Sequence, residues 1–215
     1  MLGHFALQAG LKVQSGTGAE VVWVSHTGLR VAGLGLILRS QTLIAATFIA
    51  MWAFQTVWLA DLAGLIATGT APLGMVGYLQ DADAWTRIGT SYHGYLLPVL
   101  GVVVWRWRVY DRAAWPMAIA FFITLTLLSR LLLDPVANVN SAFHLHFGET
   151  PLQGFGWVND LPPPLYLPTL NALVAVFLQW PAAIVLRGWA EMGPGAQTDR
   201  CELGRAGVKP LPHIG

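Results

Sequence analysis

Charged side chains are scarce in this sequence. Asp, Glu, Lys and Arg make up 11% of 215 residues, where a soluble domain carries roughly 25%. Hydrophobic residues reach 55% and the mean hydropathy is +0.55. An ordinary soluble domain is thereby excluded and a membrane protein indicated. Neither sign of charge dominates: the formal net charge is +1, so the basic footprint of a nucleic-acid partner is missing. The only cysteine is Cys201, which excludes an internal disulfide and a cysteine-based zinc site. It lies in a polar, Gly/Pro-rich tail and reads as an incidental thiol. The GxxxxGKS/T loop, CxxCH and HExxH are all absent, as is a convincing Ser-His-Asp arrangement. No internal repeat suggests an inverted-repeat transporter. None of the apolar runs has an acid at its centre, which counts against a proton-driven pump. A cleavable signal is not expected either, because MLGHFALQAGLK lacks a basic start and a sustained apolar core.

What is present is greasy length. A helix needs about 20 apolar residues to cross the hydrocarbon core. Four segments qualify, at about 42–62, 88–106, 113–133 and 164–187. The expected fold is all-α, an integral membrane bundle of four transmembrane helices. Arg130, the only charge in the third segment, sits near its end and can reach the headgroups. Ten tryptophans suit bilayer interfaces. The stretch 21–38 is apolar but short, with Arg30 near its centre. Central arginine costs about 2.5–3.5 kcal/mol on insertion, so residues 1–41 read as an N-terminal cytoplasmic or interfacial lead-in. Residues 42–190 then form the membrane domain and 191–215 a flexible cytoplasmic tail. Gly-rich 62–79 reads as a helix end followed by a loop.

Four spans place the N-terminus, the loop 105–113 and the C-terminus on one side. Ten basic residues fall there, Lys12 and Arg30 among them, against Arg87 and Arg130 on the other. The positive-inside rule then makes both termini cytoplasmic, in a bacterial inner membrane.

The stretch DPVANVNSAFHLHFGE, 134–149, lies in the outer loop between spans three and four. Translocated loops avoid lysine and arginine, which explains why none occurs between Asp134 and Asp160. His144, His146 and Glu149 read most simply as solvated loop residues. In an extended segment both imidazoles would face one side; with Glu149 and with His93, at the start of span two, they would make a candidate metal site. Arg130 and Asp134 stand four apart, so a continuing helix would pair them; the alternative is an arginine held for an anionic ligand. Asn138 and Asn140 suit turns, and could also bond a polar ligand. Gln55, Asn171 and Gln179 lie within spans and read as helix–helix hydrogen-bonding groups. Asp61, near the outer end of span one, is expected to reach water. His4, His26 and His213 occupy the ends and carry no signal.

Three pieces, SYHGYLLPVLGVVVWRWRVYDRAAWP (91–116), DPVANVN (134–140) and LPPPLYLPTLNALVAVFLQWPAAIVLRG (161–188), together resemble a group of bacterial multi-pass integral membrane proteins of unassigned function. The resemblance covers about 42–190 and implies a multi-pass topology. It breaks off after Asn140, where SAFHLHFGE stands, which makes the histidine pair a feature of this chain. Two functions remain open. One is an accessory, assembly or interaction subunit, whose partners are the lipid bilayer and other membrane subunits. The other is a small membrane enzyme or redox or metal-binding subunit with a site at the outer face. A transporter is disfavoured for want of buried charge and repeats, and no cofactor is implied.

Overall fold

The computed structural model describes residues 1–107, 111–145 and 151–192. Every regular element among them is helical. Four stretches are long and apolar enough to cross a membrane: Gln41–Thr68, Ala84–Trp107, Ala114–Leu132 and Pro163–Trp189, with mean hydropathies of 1.7, 1.2, 1.7 and 1.8. They coincide with the four segments expected, and the chain is an all-α multi-pass bundle.

The first span is α3, Gln41–Thr68, preceded by α1, Leu2–Gln14, and α2, Val24–Ile37. Ser40 caps its start by accepting from the Leu43 amide, and Gly69 ends it at φ 74°, a left-handed conformation that favours glycine. The second span joins α4, Ala84–Thr90, to α5, Tyr92–Trp107. The third is α6, Ala114–Leu132. The fourth runs through α7, Pro163–Leu173, a π-helical turn at Val174–Gln179, and α8, Trp180–Met192. Its first turn holds Pro163, where a missing N–H costs nothing.

α3 is the axis. In its most apolar window 56% of the residues are buried, against 28% in that of α6, so α6 gives more of its surface to lipid. All three expected amide links are present, Gln55 of the first span bonding His93 of the second. Asn171 donates to Thr126 Oγ1 at 3.2 Å and Gln179 to the Ala118 carbonyl at 3.3 Å, tying the fourth span to α6.

The N-terminal 41 residues, expected as a cytoplasmic or interfacial lead-in, form a helical hairpin that packs on the first two spans. A Cβ on Gly28 would meet Met51 Sδ at 2.6 Å, and one on Gly35 would meet Ile44 Cδ1 at 3.0 Å. α2 therefore lies antiparallel and close against α3 along its whole length. Its 14 residues reach about 21 Å at 1.5 Å each. α1 runs back along α2: Leu2 lies under Gly33 and the Arg30 guanidinium sits 5.1 Å over the Phe5 ring. Arg30 itself is exposed.

The bundle thus has two distinct ends. Arg39, Arg106, Arg112 and Arg187 gather at the end where α3 begins and α5 finishes. The opposite end carries the connections 69–83 and 133–162 and also the hairpin tip, because the Val24 amide donates to Asn140 Oδ1 at 2.7 Å. Lys12, expected beside Arg39, is at this second end, ion-paired with Glu20.

At the basic end Asp111 accepts from the Thr42 hydroxyl and, at 2.9 Å, from the Ala113 amide. These bonds, the one from Thr42 first, hold its carboxyl below the usual carboxylate range. A depressed carboxylate stabilises fully above its unfolded value of about 3.9 and loses the contribution as pH falls through its folded value. Acid below about pH 4 should therefore loosen the α5–α6 connection. Amide exchange at Ala113 should rise there in the wild type, and should already be raised at neutral pH in Asp111→Ala. Unchanged exchange in the variant would show that the tie is idle.

Candidate functional site

The connections at the loop end are held by buried polar side chains. Asp61, on α3, is fully buried, contrary to the expectation that it reaches water. Its carboxylate accepts from the amides of Leu73 at 2.6 Å, Met75 at 2.7 Å and Val76 at 2.9 Å. Three backbone donors on one carboxylate fold the chain after Gly69 back over the helix end. The donors take the place of water.

Asn138 and Asn140 do the same for the third connection. Both have positive φ, 37° and 58°, a conformation that asparagine tolerates better than most residues. Asn138 Oδ1 accepts from the Phe143 and His144 amides at 3.0 and 3.1 Å, and its Nδ2 donates to the His144 carbonyl at 2.7 Å. Asn140 reaches across 116 residues to Val24. Besides that bond it donates to the Val22 carbonyl at 3.0 Å and to Ser129 Oγ at 3.1 Å. The turn reading was right in conformation. The ligand reading finds no support, because both amides are occupied by the fold.

Arg130 and Asp134 are not brought together. α6 ends at Leu132 and Leu133 is extended, at φ −114° and ψ 156°. Asp134 precedes Pro135, and a residue in that position avoids the helical region, so the i, i+4 geometry never forms. Among the described residues Lys12–Glu20 is the ion pair within 4.0 Å. Arg130 instead sits 4.6 Å over the Phe143 ring and donates to the Ala142 carbonyl at 3.3 Å. Asp134 accepts from the Val136 amide at 2.8 Å. Arg130→Ala and Asp134→Ala should therefore lower stability independently, the double mutant matching the sum within about 0.5 kcal/mol. A coupling above 1 kcal/mol in a double-mutant cycle in detergent would contradict this.

Two of the four metal candidates are described. His146 and Glu149 lie outside the described residues. His144 is held through its backbone by Asn138. No group of three His, Cys, Asp or Glu side chains placed to hold a metal occurs among the described residues.

His93 is packed among aromatic rings. Its ring stacks on Trp58 with centroids 4.2 Å apart and planes at 12°, and Tyr92 lies 4.2 Å away at 30°. Nδ1 is 2.5 Å from Gln55 Oε1. A carboxamide oxygen can only accept, so Nδ1 carries the proton and Nε2 presents its lone pair. His26, expected to carry no signal, shows the same arrangement. Its Nδ1 donates to the Glu20 carbonyl at 2.7 Å, which again makes Nε2 the acceptor. His4 is the reverse case: its Nε2 donates to the Gly89 carbonyl at 2.6 Å and its Nδ1 accepts from Tyr95 Oη at 2.8 Å. Both nitrogens of His4 are spent on structure.

His26 and His93 line one cleft at the loop end, of about 730 Å³. Small-molecule sites commonly measure about 300–1,000 Å³. Trp23, Trp58, Tyr78 and Trp85 contribute its aromatic walls, and Lys12, Glu20 and Asp83 its charged groups. Asp83 caps α4 by accepting from the Thr86 amide at 2.7 Å. Hydrogen bonds from Thr86 hold its carboxyl below the usual range, so it is ionised at neutral pH. Behind the wall, Gln55 Nε2 is buried without a hydrogen-bond partner. Such a group costs about 1–3 kcal/mol.

Sequence reasoning found His93 and Gln55 as polar residues in apolar runs but assigned them to separate roles. It missed His26, Trp58 and the cleft. The usable signal was that pair of polar side chains on two successive spans, each about one turn from a large aromatic.

Comparison with protein-family models, with curated proteins and with solved structures found no match.

Proposed function

We propose that this chain is a non-catalytic accessory or interaction protein of a bacterial inner membrane, and that the cleft at its loop end is where it engages its ligand. One observation carries the reading: the cleft is preformed. Asp61 and Asn140 use buried hydrogen bonds to fix the two connections and the hairpin tip around it. Binding sites gain affinity when ordering is completed before the ligand arrives. Against an enzyme stands the chemistry available. Among the described cleft residues no hydroxyl is hydrogen-bonded to a histidine, and the acid of the Lys12–Glu20 pair is already engaged.

The orientation follows from charge. Arg39, Arg106, Arg112 and Arg187 mark one end, and Arg108, Arg200, Arg205 and Lys209 follow in sequence the helices that finish there. The loop end has Lys12, Arg87 and Arg130. Eight against three keeps the positive-inside argument although Lys12 has changed ends. The basic end is then cytoplasmic and the cleft opens to the outside. The C-terminus is cytoplasmic, and the N-terminus starts in the cytoplasmic half beside Gly33.

Single cysteines placed in a Cys201→Ser background test both parts. Cysteine at Asp83 or Val136 should react in intact cells with a membrane-impermeant maleimide, and cysteine at Arg112 only after lysis. The reverse pattern would overturn the orientation. For the function, protein extracted in mild detergent should carry a stoichiometric small molecule or subunit that is lost in Asp61→Ala. Turnover of any co-purified molecule by the protein alone would overturn the accessory reading.

A further inference from the structure

We infer that the cleft takes an uncharged aromatic hydroxyl compound, a phenol or quinol headgroup, whose O–H donates to Nε2 of His26 and His93. The inference rests on the reading of the cleft as a binding site and adds the chemistry of what binds.

Three observations converge. First, the Nδ1 side of both rings is engaged. Carbonyl oxygens of Glu20 and Gln55 pin Nδ1–H of His26 and His93, so two acceptors are offered and a ligand must bring donors. A carboxylate or a quaternary ammonium has no hydrogen to give at neutral pH. Secondly, both imidazoles lie against the same Tyr92 ring, at centroid distances of 5.8 and 4.2 Å. One small ring carrying hydroxyls can serve both. Thirdly, the remaining walls are flat and aromatic, from Trp23, Trp58, Tyr78 and Trp85, and rings pair with rings by offset or edge contacts. Charge settles the ligand's own charge: Lys12 is cancelled by Glu20, and ionised Asp83 stands in the lining against anions. No redox step is part of this proposal; the cleft binds and releases.

The experiment uses the full chain in detergent and follows tryptophan fluorescence. The probes are a decyl-substituted hydroquinone, its dimethyl ether, which keeps the ring but has no donor, and 2-phenylethylammonium, a cationic donor. The hydroquinone should bind saturably and at least about tenfold tighter than either other probe, as expected where an acceptor would otherwise be left unpaired. His26→Asn and His93→Asn keep an N–H near the Nδ1 position and remove the Nε2 acceptor, so the fold is retained. Each should weaken hydroquinone binding about tenfold and leave the ether unchanged. His26→Gln, which restores an acceptor near the Nε2 position, should recover part of the loss. Equal affinity for hydroquinone and ether would overturn the donor chemistry while leaving the cleft a binding site. Tighter binding of the ammonium probe, or Asn variants that bind like the wild type, would overturn it too. A wild type that binds none of the probes also overturns it; the wider reading would then stand or fall on the co-extraction test.

Discussion

Asn140→Ala should destabilise the protein by about 3–5 kcal/mol, a large loss for one exposed-looking loop residue in the sequence. Asn140 is 4% exposed. Alanine removes its three hydrogen bonds together and strands the Val24 amide, the Val22 carbonyl and Ser129 Oγ. Each buried group left without a partner costs about 1–3 kcal/mol. The backbone adds to this, because φ is 58° and alanine enters the left-handed region at roughly 1–2 kcal/mol. Asn140→Gly relieves only the backbone part and should fall between the two. Unfolding midpoints in detergent measure the series. The local signature is release of the hairpin tip, so amide exchange at Val24 should accelerate more than exchange at the centre of α3. A loss below 1 kcal/mol would mean that water replaces the amide and that the tip is not anchored there.

Asp61→Ala carries the second largest expected effect, about 3–4 kcal/mol. Its carboxylate is fully buried and receives three backbone amides, and hydrogen bonds to an ionised acceptor are worth about 1.5–3 kcal/mol each before desolvation is charged against them. Asp61→Asn is the informative partner. Its oxygen can still accept, but its NH₂ faces a donor where the second carboxylate oxygen accepted from Met75 and Val76. It should lose about half as much. Equal losses for Asn and Ala would show that one bond carries the turn. Because Met75 and Tyr78 line the cleft, both variants should also weaken probe binding, which links this turn to the site.

The spans were legible because hydropathy over 20 residues reports a single physical fact, the thickness of the hydrocarbon core. Asn171 and Gln179 were legible for a related reason: an amide in that environment needs another helix. What escaped is long-range. Asn140 looks like any turn asparagine until Val22 and Val24 arrive from the other end of the chain. Asp61 looked solvated because its three donors come from a segment whose path is set only by the bonds themselves. Arg130 and Asp134 had helical spacing, but Pro135 moved the helix end forward by one decisive residue. His26 sat in a stretch dismissed for Arg30. Its place depends on α1 and α3, between which α2 packs.

During synthesis α2 leaves the ribosome before the helix it packs against. With 14 residues and Arg30 inside them, it is a poor substrate for independent entry into the bilayer. α3, 28 residues long with no basic side chain, is the first segment able to enter unaided. On the orientation proposed above, the hairpin would follow its successor into the bundle, with the turn at Leu38–Ser40 as the hinge. The proposed cleft would then be assembled in two steps, His26 arriving with α3 and His93 one span later.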